Sequence, residues 1–321
     1  MAAACSPQLR ISGLSDRGRR QTDHPNHQPS PWLADVLNFP PVYGGISTLR
    51  AQWRCCTITV QCVPPEGFQP GAWMVYALRG AVGDELFERE LPLLDRASAW
   101  QALYSTRHLH LAKRQVPSPL LLDVKAGREE IVVTARLFGL AGFWRDSFIA
   151  ALITALNTGV SISENSRERR PWRVRDFHYV NEHGLAPPPN DTYLRILPRS
   201  ALCYGAERHY RDEPERFLLS ALSRVALIAR WHQVLLDFDI PDLAMIRAAS
   251  TAHKGIQGPM ATVRKHSRGH AGKEKLLTGE ETEILMQTDN LDWCELLHIA
   301  SACAAGGHAV YGFGRFDLVA A

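Results

Sequence analysis

A chain of 321 residues exceeds what one hydrophobic core usually fills, so length alone predicts two domains. Its 45% hydrophobic and 21% charged residues are those of a globular protein, and a net charge of +3 is too small to mark a nucleic-acid binder by itself. No apolar run approaches the roughly 20 residues of a membrane span, and residues 1–15 show neither region of a secretory signal, so no membrane partner is expected.

Seven cysteines, Cys5, Cys55, Cys56, Cys62, Cys203, Cys294 and Cys303, form no C-x-x-C pair and have no histidine at zinc-ligand spacing. That argues against a metal site and a disulfide framework, and it places the chain in a reducing cytoplasm. Cys56 and Cys62 fall in step with Ile58 and Val60 and read as small core residues.

Residues 1–47 mix Arg17, Arg19 and Arg20 with His24, Pro25, His27, Pro29 and Pro31, a composition that buries no core. They are expected to be a flexible extension that orders on a partner. A first domain is then expected over 48–186 and a second over 187–321, divided at Pro187-Pro188-Pro189-Asn190-Asp191.

Residues 57–62 alternate and predict a half-buried strand; 73–89 predict a helix. A hairpin follows, 120–123 against 130–137, around the turn Lys125-Ala126-Gly127-Arg128. Residues 143–157 predict a second helix with Leu152, Ala155 and Leu156 on one face, and 172–180 a closing strand. The pattern then repeats: a strand over 192–197, a long helix over 214–237, paired strands over 260–265 and 276–286, a helix over 291–304 and a strand over 311–319. Two βαββαβ units in tandem make an α+β fold of two ferredoxin-like domains, an arrangement that leaves a sheet face open to a ligand.

The last helix and strand are joined by Gly306-Gly307-His308-Ala309-Val310-Tyr311-Gly312-Phe313-Gly314-Arg315. Dinucleotide-binding glycine loops run from strand to helix; this one runs from helix to strand, which argues for a polyanionic backbone lying across it. The plainer alternative is a helix C-cap followed by a hairpin edge.

These segments resemble a known family. Leu78-Arg79-Gly80-Ala81-Val82-Gly83-Asp84-Glu85-Leu86 is similar to the first-helix motif of the CRISPR repeat-processing endoribonucleases of the repeat-associated (RAMP) superfamily. Leu137-Phe138-Gly139-Leu140-Ala141 is similar to the end of that family's internal hairpin. Leu277-Thr278-Gly279, Leu296-Leu297-His298-Ile299-Ala300 and the terminal glycine loop are similar to its C-terminal signature. The resemblance spans about residues 48–319 in the right order.

The resemblance implies tandem ferredoxin-like domains and cleavage of precursor CRISPR RNA within the repeat, with no metal or other cofactor. It also implies retention of the mature crRNA and assembly with other Cas proteins in an effector complex. The chain departs from the family twice: Thr158-Gly159-Val160-Ser161-Ile162-Ser163 has a single glycine where a first-domain glycine turn is common, and no histidine lies between Trp53 and Arg96.

Candidate groups follow from the reaction's needs: a proton acceptor, a proton donor and cations for the crowded phosphate. Arg79 is a candidate to grip the scissile phosphate, its fork matching phosphate oxygens; His308 and His266 are candidates for proton transfer. The RNA-binding candidates are Arg79, Arg167, Arg169, Arg170 and Arg173, with Arg175 beside them. They also include the basic loop residues Arg264, Lys265, Arg268, His270, Lys273 and Lys275, and Gly306, Gly307, Gly312, Gly314 and Arg315 of the glycine loop. His298 reads as packing, and His108 and His110, near Lys113 and Arg114, either grip a stem or cover the first domain. An arginine-only mechanism, a catalytically silent crRNA-binding subunit and an unrelated small-molecule enzyme stay open as alternatives.

Overall fold

The structure is a computed structural model. It describes residues 9–11, 41–88, 94–104, 109–111, 114–127, 129–164, 166, 168–189, 193–200, 202, 214–236, 254–256, 260–266, 274–280, 283–287, 291–305, 309 and 313–320.

In chain order the elements are β1 (Leu9–Ile11), β2 (Val42–Gly44), α1 (Ile46–Ala51), β3 (Arg54–Val63), α2 (Met74–Glu88), α3 (Leu94–Tyr104), β4 (Leu109–Leu111), β5 (Arg114–Gln115), β6 (Leu120–Ala126) and β7 (Ile131–Phe138). A 3-10 turn (Gly139–Trp144) leads into α4 (Arg145–Thr158), then come β8 (Val160–Ser161), β9 (Arg169–Arg170), β10 (Arg173–His183) and β11 (Tyr193–Pro198). The remainder is α5 (Pro214–Ala229), a 3-10 turn (Arg230–His232), β12 (Val234–Leu236), β13 (Lys254–Ile256), β14 (Met260–His266), β15 (Glu274–Glu280), β16 (Glu283–Gln287), α6 (Leu291–Cys303) and β17 (Phe316–Ala320).

Two four-stranded antiparallel sheets organise the molecule, in the orders β10-β3-β7-β6 and β13-β16-β11-β17. In the first, strand alternation puts Ile58, Val60 and Cys62 beside Val133, Ala135 and Leu137 on one buried face. On that side pack α2 and α4, which also pack on each other. Burying this much branched apolar surface is what holds the layers together, at roughly 25 cal/mol per Å². In the second sheet Leu194, Ile196, Ile284, Met286 and Phe316 form the buried set, under α5 and α6.

Several expectations are revised. Residues 42–44, placed in a flexible extension, pair in parallel with β12, and Leu9–Ile11 pairs with β4. The helix expected over 214–237 stops at Ala229, because Gln233 adopts a left-handed φ of 58° and Val234–Leu236 joins β2. The second strand of the expected pair over 276–286 is split: β15 closes a separate two-stranded hairpin with β14, and β16 alone enters the sheet beside β13. One helical stretch, Gly139–Thr158, is in fact long and apolar enough to cross a membrane by length and composition. Here its apolar residues Phe148, Leu152 and Leu156 are fully buried in the core of the first unit. Five cysteines, Cys55, Cys56, Cys62, Cys294 and Cys303, are free and buried, and burial raises the Cys55 and Cys62 thiols to about 12.

Candidate nucleic-acid interface

The glycine loop begins where α6 ends. Ala304 turns left-handed with φ 64°, and the Ala305 N–H then donates to the Gly314 carbonyl at 2.9 Å. Gly314 has φ +77°, and a Cβ there would stand 1.8 Å from the Ala305 oxygen. Only glycine fits this position. Beyond it, the Arg315 N–H donates to Ser200 Oγ at 3.0 Å, and the Arg315 carbonyl accepts from the Arg199 and Ser200 N–H groups at 2.8 and 3.2 Å. The loop is therefore stitched at its end to the turn after β11. Gly306, Gly307, His308 and Gly312 lie outside the described residues.

Arg315 pairs its guanidinium with Asp123 of β6, on the first sheet. A second arginine reaches back: Arg136 of β7 donates from Nη1 to the Ala302 carbonyl, 3.2 Å away in the last turn of α6. A cation at a helix C-terminus satisfies an orphan carbonyl and meets the negative end of the helix dipole. The loop is thus held between the two sheets by one ion pair and one helix cap.

Arg79, the candidate phosphate ligand, faces the interior of the fold. It is only 8% exposed; Nη2 donates to the Leu103 carbonyl at 3.0 Å, and the guanidinium lies 4.3 Å from the Tyr104 ring centroid. Both partners belong to α3. Arg79 therefore braces α2 on α3, and in this conformation it does not present its fork to an external phosphate.

The other basic candidates divide by setting. Arg169 pairs with Asp84 at 3.2 Å; Arg170 pairs with Glu168 at 2.7 Å and donates to the Glu66 carbonyl at 3.0 Å. These are surface pairs of the kind that contribute little and exchange readily for a stronger anion. Arg173 and Arg175 are exposed on β10, and Arg167 lies outside the described residues. Arg264, Lys265 and His266 end β14, opposite Leu276, Lys275 and Glu274 of β15. Arg268, His270 and Lys273 belong to the tip between them, outside the described residues.

Of the histidines, His298 is half-buried and its pKa is lowered by burial, which suits packing. His110 lies in β4 opposite Arg10 and Gln115; His108 is outside the described residues. Sequence reasoning passed over His232, which stacks on Trp53 at 4.4 Å between centroids and accepts the Arg54 N–H at Nδ1, 3.2 Å away. It also passed over the exposed aromatic strip of β10, Phe177 and Tyr179, whose signal was there in the alternation of an aromatic strand with arginines on either side. Among the described residues no group of three or more His, Cys, Asp or Glu is arranged to hold a metal ion.

No family model matches the chain, and no curated protein matches it in sequence. Solved structures do match in fold. A Cas6 product complex is 14% identical, with 83% of this chain and 99% of that one covered and a TM-score of 0.51. A second Cas6 product complex is also 14% identical, over 84% of this chain and 100% of that one, with a TM-score of 0.50. A structure of Thermus thermophilus Cas6 is 13% identical over 83% of this chain and 99% of that one, at 0.48. At these identities the likeness is one of fold.

Proposed function

We propose that this chain is a Cas6-type endoribonuclease that cuts CRISPR precursor RNA within its repeat, without a metal, and retains the mature crRNA. The observation that carries this reading is the fold shared, over 83% and 84% of the chain, with two Cas6 proteins captured with their products. The sheet orders support it further. Numbered within each unit, β10-β3-β7-β6 and β17-β11-β16-β13 both read 4-1-3-2, the order of a ferredoxin-like module, so we take the chain as two such modules in tandem.

The reaction is internal transesterification. The ribose 2′-oxygen bonds to the adjacent phosphorus as its proton leaves to a base; the bond from phosphorus to the 5′-oxygen breaks, and that oxygen takes a proton. A 2′,3′-cyclic phosphate and a 5′-hydroxyl result. His308 in the glycine loop and His266 at the end of β14 are the groups proposed to move protons, because the two segments carrying them are also those richest in anion-binding features. The cations of the β14–β15 hairpin, with Arg173, are proposed to take the stem phosphates. Arg79 serves as scaffold to α2 rather than as a phosphate ligand.

A second reading is a silent crRNA-binding subunit of an effector complex with other Cas proteins. It is favoured by the inward commitment of Arg79 and by the absence of histidine between Trp53 and Arg96. One gel separates the two. Purified protein is incubated with its cognate repeat RNA in EDTA, beside an RNA carrying a 2′-deoxy nucleotide at the cut site. Cleavage of the first RNA alone supports the nuclease; tight binding with no cleavage of either supports the subunit.

A further inference from the structure

Strand β10 is the outer strand of the first sheet and is exposed along nearly its whole length. Phe177 and Tyr179, 44% and 43% exposed, lie two residues apart on one side of it, opposite Val60 and Ile58 of β3. Beside them α4 begins. The Arg145 guanidinium rests over the Tyr179 ring, 4.3 Å from its centroid, and Phe143, just ahead of the helix, is 79% exposed. By contrast Trp53, Phe138, Phe148 and Phe217 are at or below 1% exposed; among the described residues Tyr43 and Tyr193, 55% and 46% exposed, lie on other strands. Three exposed rings around the start of one helix, one already under an arginine, are a surface built for flat partners.

Charge selects among partners. Each carboxylate nearby is occupied: Asp146 pairs with Arg145, Asp176 accepts the Phe177 N–H at 2.8 Å, and Glu182 accepts from the Thr57 hydroxyl at 2.9 Å. Arg173 and Arg175 form no ion pair among the described residues, and Arg175 occupies the register shift between Val174 and Asp176. A bulge re-aims its residue and, with charges along the edge, discourages a protein strand from adding to the sheet. Arginines with no ion pair among the described residues, on the same strand as exposed rings, match a chain that alternates phosphates with flat bases. Every base has a stacking face, so such binding tolerates any sequence.

We propose that the β10–α4 face binds the single-stranded RNA that flanks the repeat stem, stacking its bases on Phe177, Tyr179 and Phe143. This rests on the RNA-processing reading above, and it adds a second contact surface whose occupant varies in sequence.

The test compares full-length wild type with Phe177→Ala/Tyr179→Ala and with Phe143→Ala. Binding is measured for the repeat stem-loop alone and for the same stem-loop carrying an oligouridine extension. All three side chains are exposed, and unchanged circular dichroism melting verifies the variants' fold. Wild type is expected to bind the extended RNA more tightly. Each aromatic removed should cost about tenfold on the extended RNA and nothing on the bare stem-loop. Variants that keep wild-type affinity for the extended RNA would overturn the proposal, as would an extension that adds no affinity while the stem-loop still binds; neither result touches the nuclease reading. A wild-type protein that ignores both RNAs sinks both. Loss of self-association on removing the aromatics, seen by sedimentation, would assign the face to a second copy and reject RNA there.

Discussion

Gly314 and Gly80 both sit in glycine-bearing motifs, yet their surroundings differ. A Cβ on Gly314 would collide with the Ala305 oxygen at a φ of +77°, whereas a Cβ on Gly80, exposed in the middle of α2, meets nothing within 4 Å. Gly314→Ala should therefore destabilise the fold by about 3 kcal/mol. Gly80→Ala should stabilise it by up to about 1 kcal/mol, because alanine loses less backbone freedom in a helix. Urea denaturation of the two variants checks both signs. Arg79 obeys the same spatial logic. Arg79→Ala takes the cation from the Tyr104 ring and leaves the Leu103 carbonyl with one donor, Ser118 Oγ at 2.6 Å, so a loss of about 1–2 kcal/mol in stability is expected. RNA affinity measured in the cold, where the variant is still folded, should stay at the wild-type level; a large affinity loss there would return Arg79 to the phosphate. The motif was visible in the sequence, but the role was not, since nothing in it announces that Tyr104, 25 positions on, closes over the guanidinium.

At the scale of elements, period-two alternation found β3, because it turns one face to the core, and β6 and β7 were found by the turn between them. Elements too short to show a period were missed: β13 has three residues, and β12 continues a helical pattern until Gln233 turns it toward β2. The helix α3 went unread because its small residues Ala99 and Ala102 are what it buries, beside Leu103. The β14–β15 hairpin has a feature that only pairing reveals: Lys265 and Lys275 stand at directly opposed positions. Like charges so placed disfavour the pair in isolation, and a bound polyanion relieves the repulsion. The double variant Lys265→Gln/Lys275→Gln should bind stem-loop RNA more weakly at low salt. The slope of log affinity against log salt should become shallower by about two. An unchanged slope would take the stem off this hairpin.

For the molecule as a whole, the decisive contacts are those between the sheets, and none was legible from sequence because each joins residues more than 90 positions apart. Trp231 Nε1 donates to the Pro117 carbonyl at 3.1 Å, Arg50 pairs with Glu295 at 2.8 Å, and His232 is clamped between Trp53 and the Arg54 N–H. Gly139, at φ +57°, lets the end of β7 touch the Trp231 backbone, where a Cβ would stand 2.1 Å from its oxygen. That contact gives the Leu137–Ala141 motif its physical meaning. Burial lowers the His232 pKa from 6.5 to about 3, so the folded protein keeps it neutral while the unfolded chain protonates it below 6.5. Its contribution is complete above pH 6.5 and falls as pH drops toward 3, by on the order of 2 kcal/mol at pH 5. Denaturation of wild type at pH 7 and pH 5 should show that loss, and a His232→Phe variant should show correspondingly less of it.

The central claim is that this two-sheet chain directs an RNA to cleave itself through its own 2′-hydroxyl. The direct measurement is single-turnover incubation with the cognate repeat RNA in EDTA, with product ends analysed by mass. The account predicts one cut within the repeat, a 2′,3′-cyclic phosphate on the upstream fragment, a 5′-hydroxyl on the other, and no cut in RNA with a 2′-deoxy nucleotide at that site. Cleavage that needs a divalent metal, or that proceeds equally in the deoxy RNA, would contradict it.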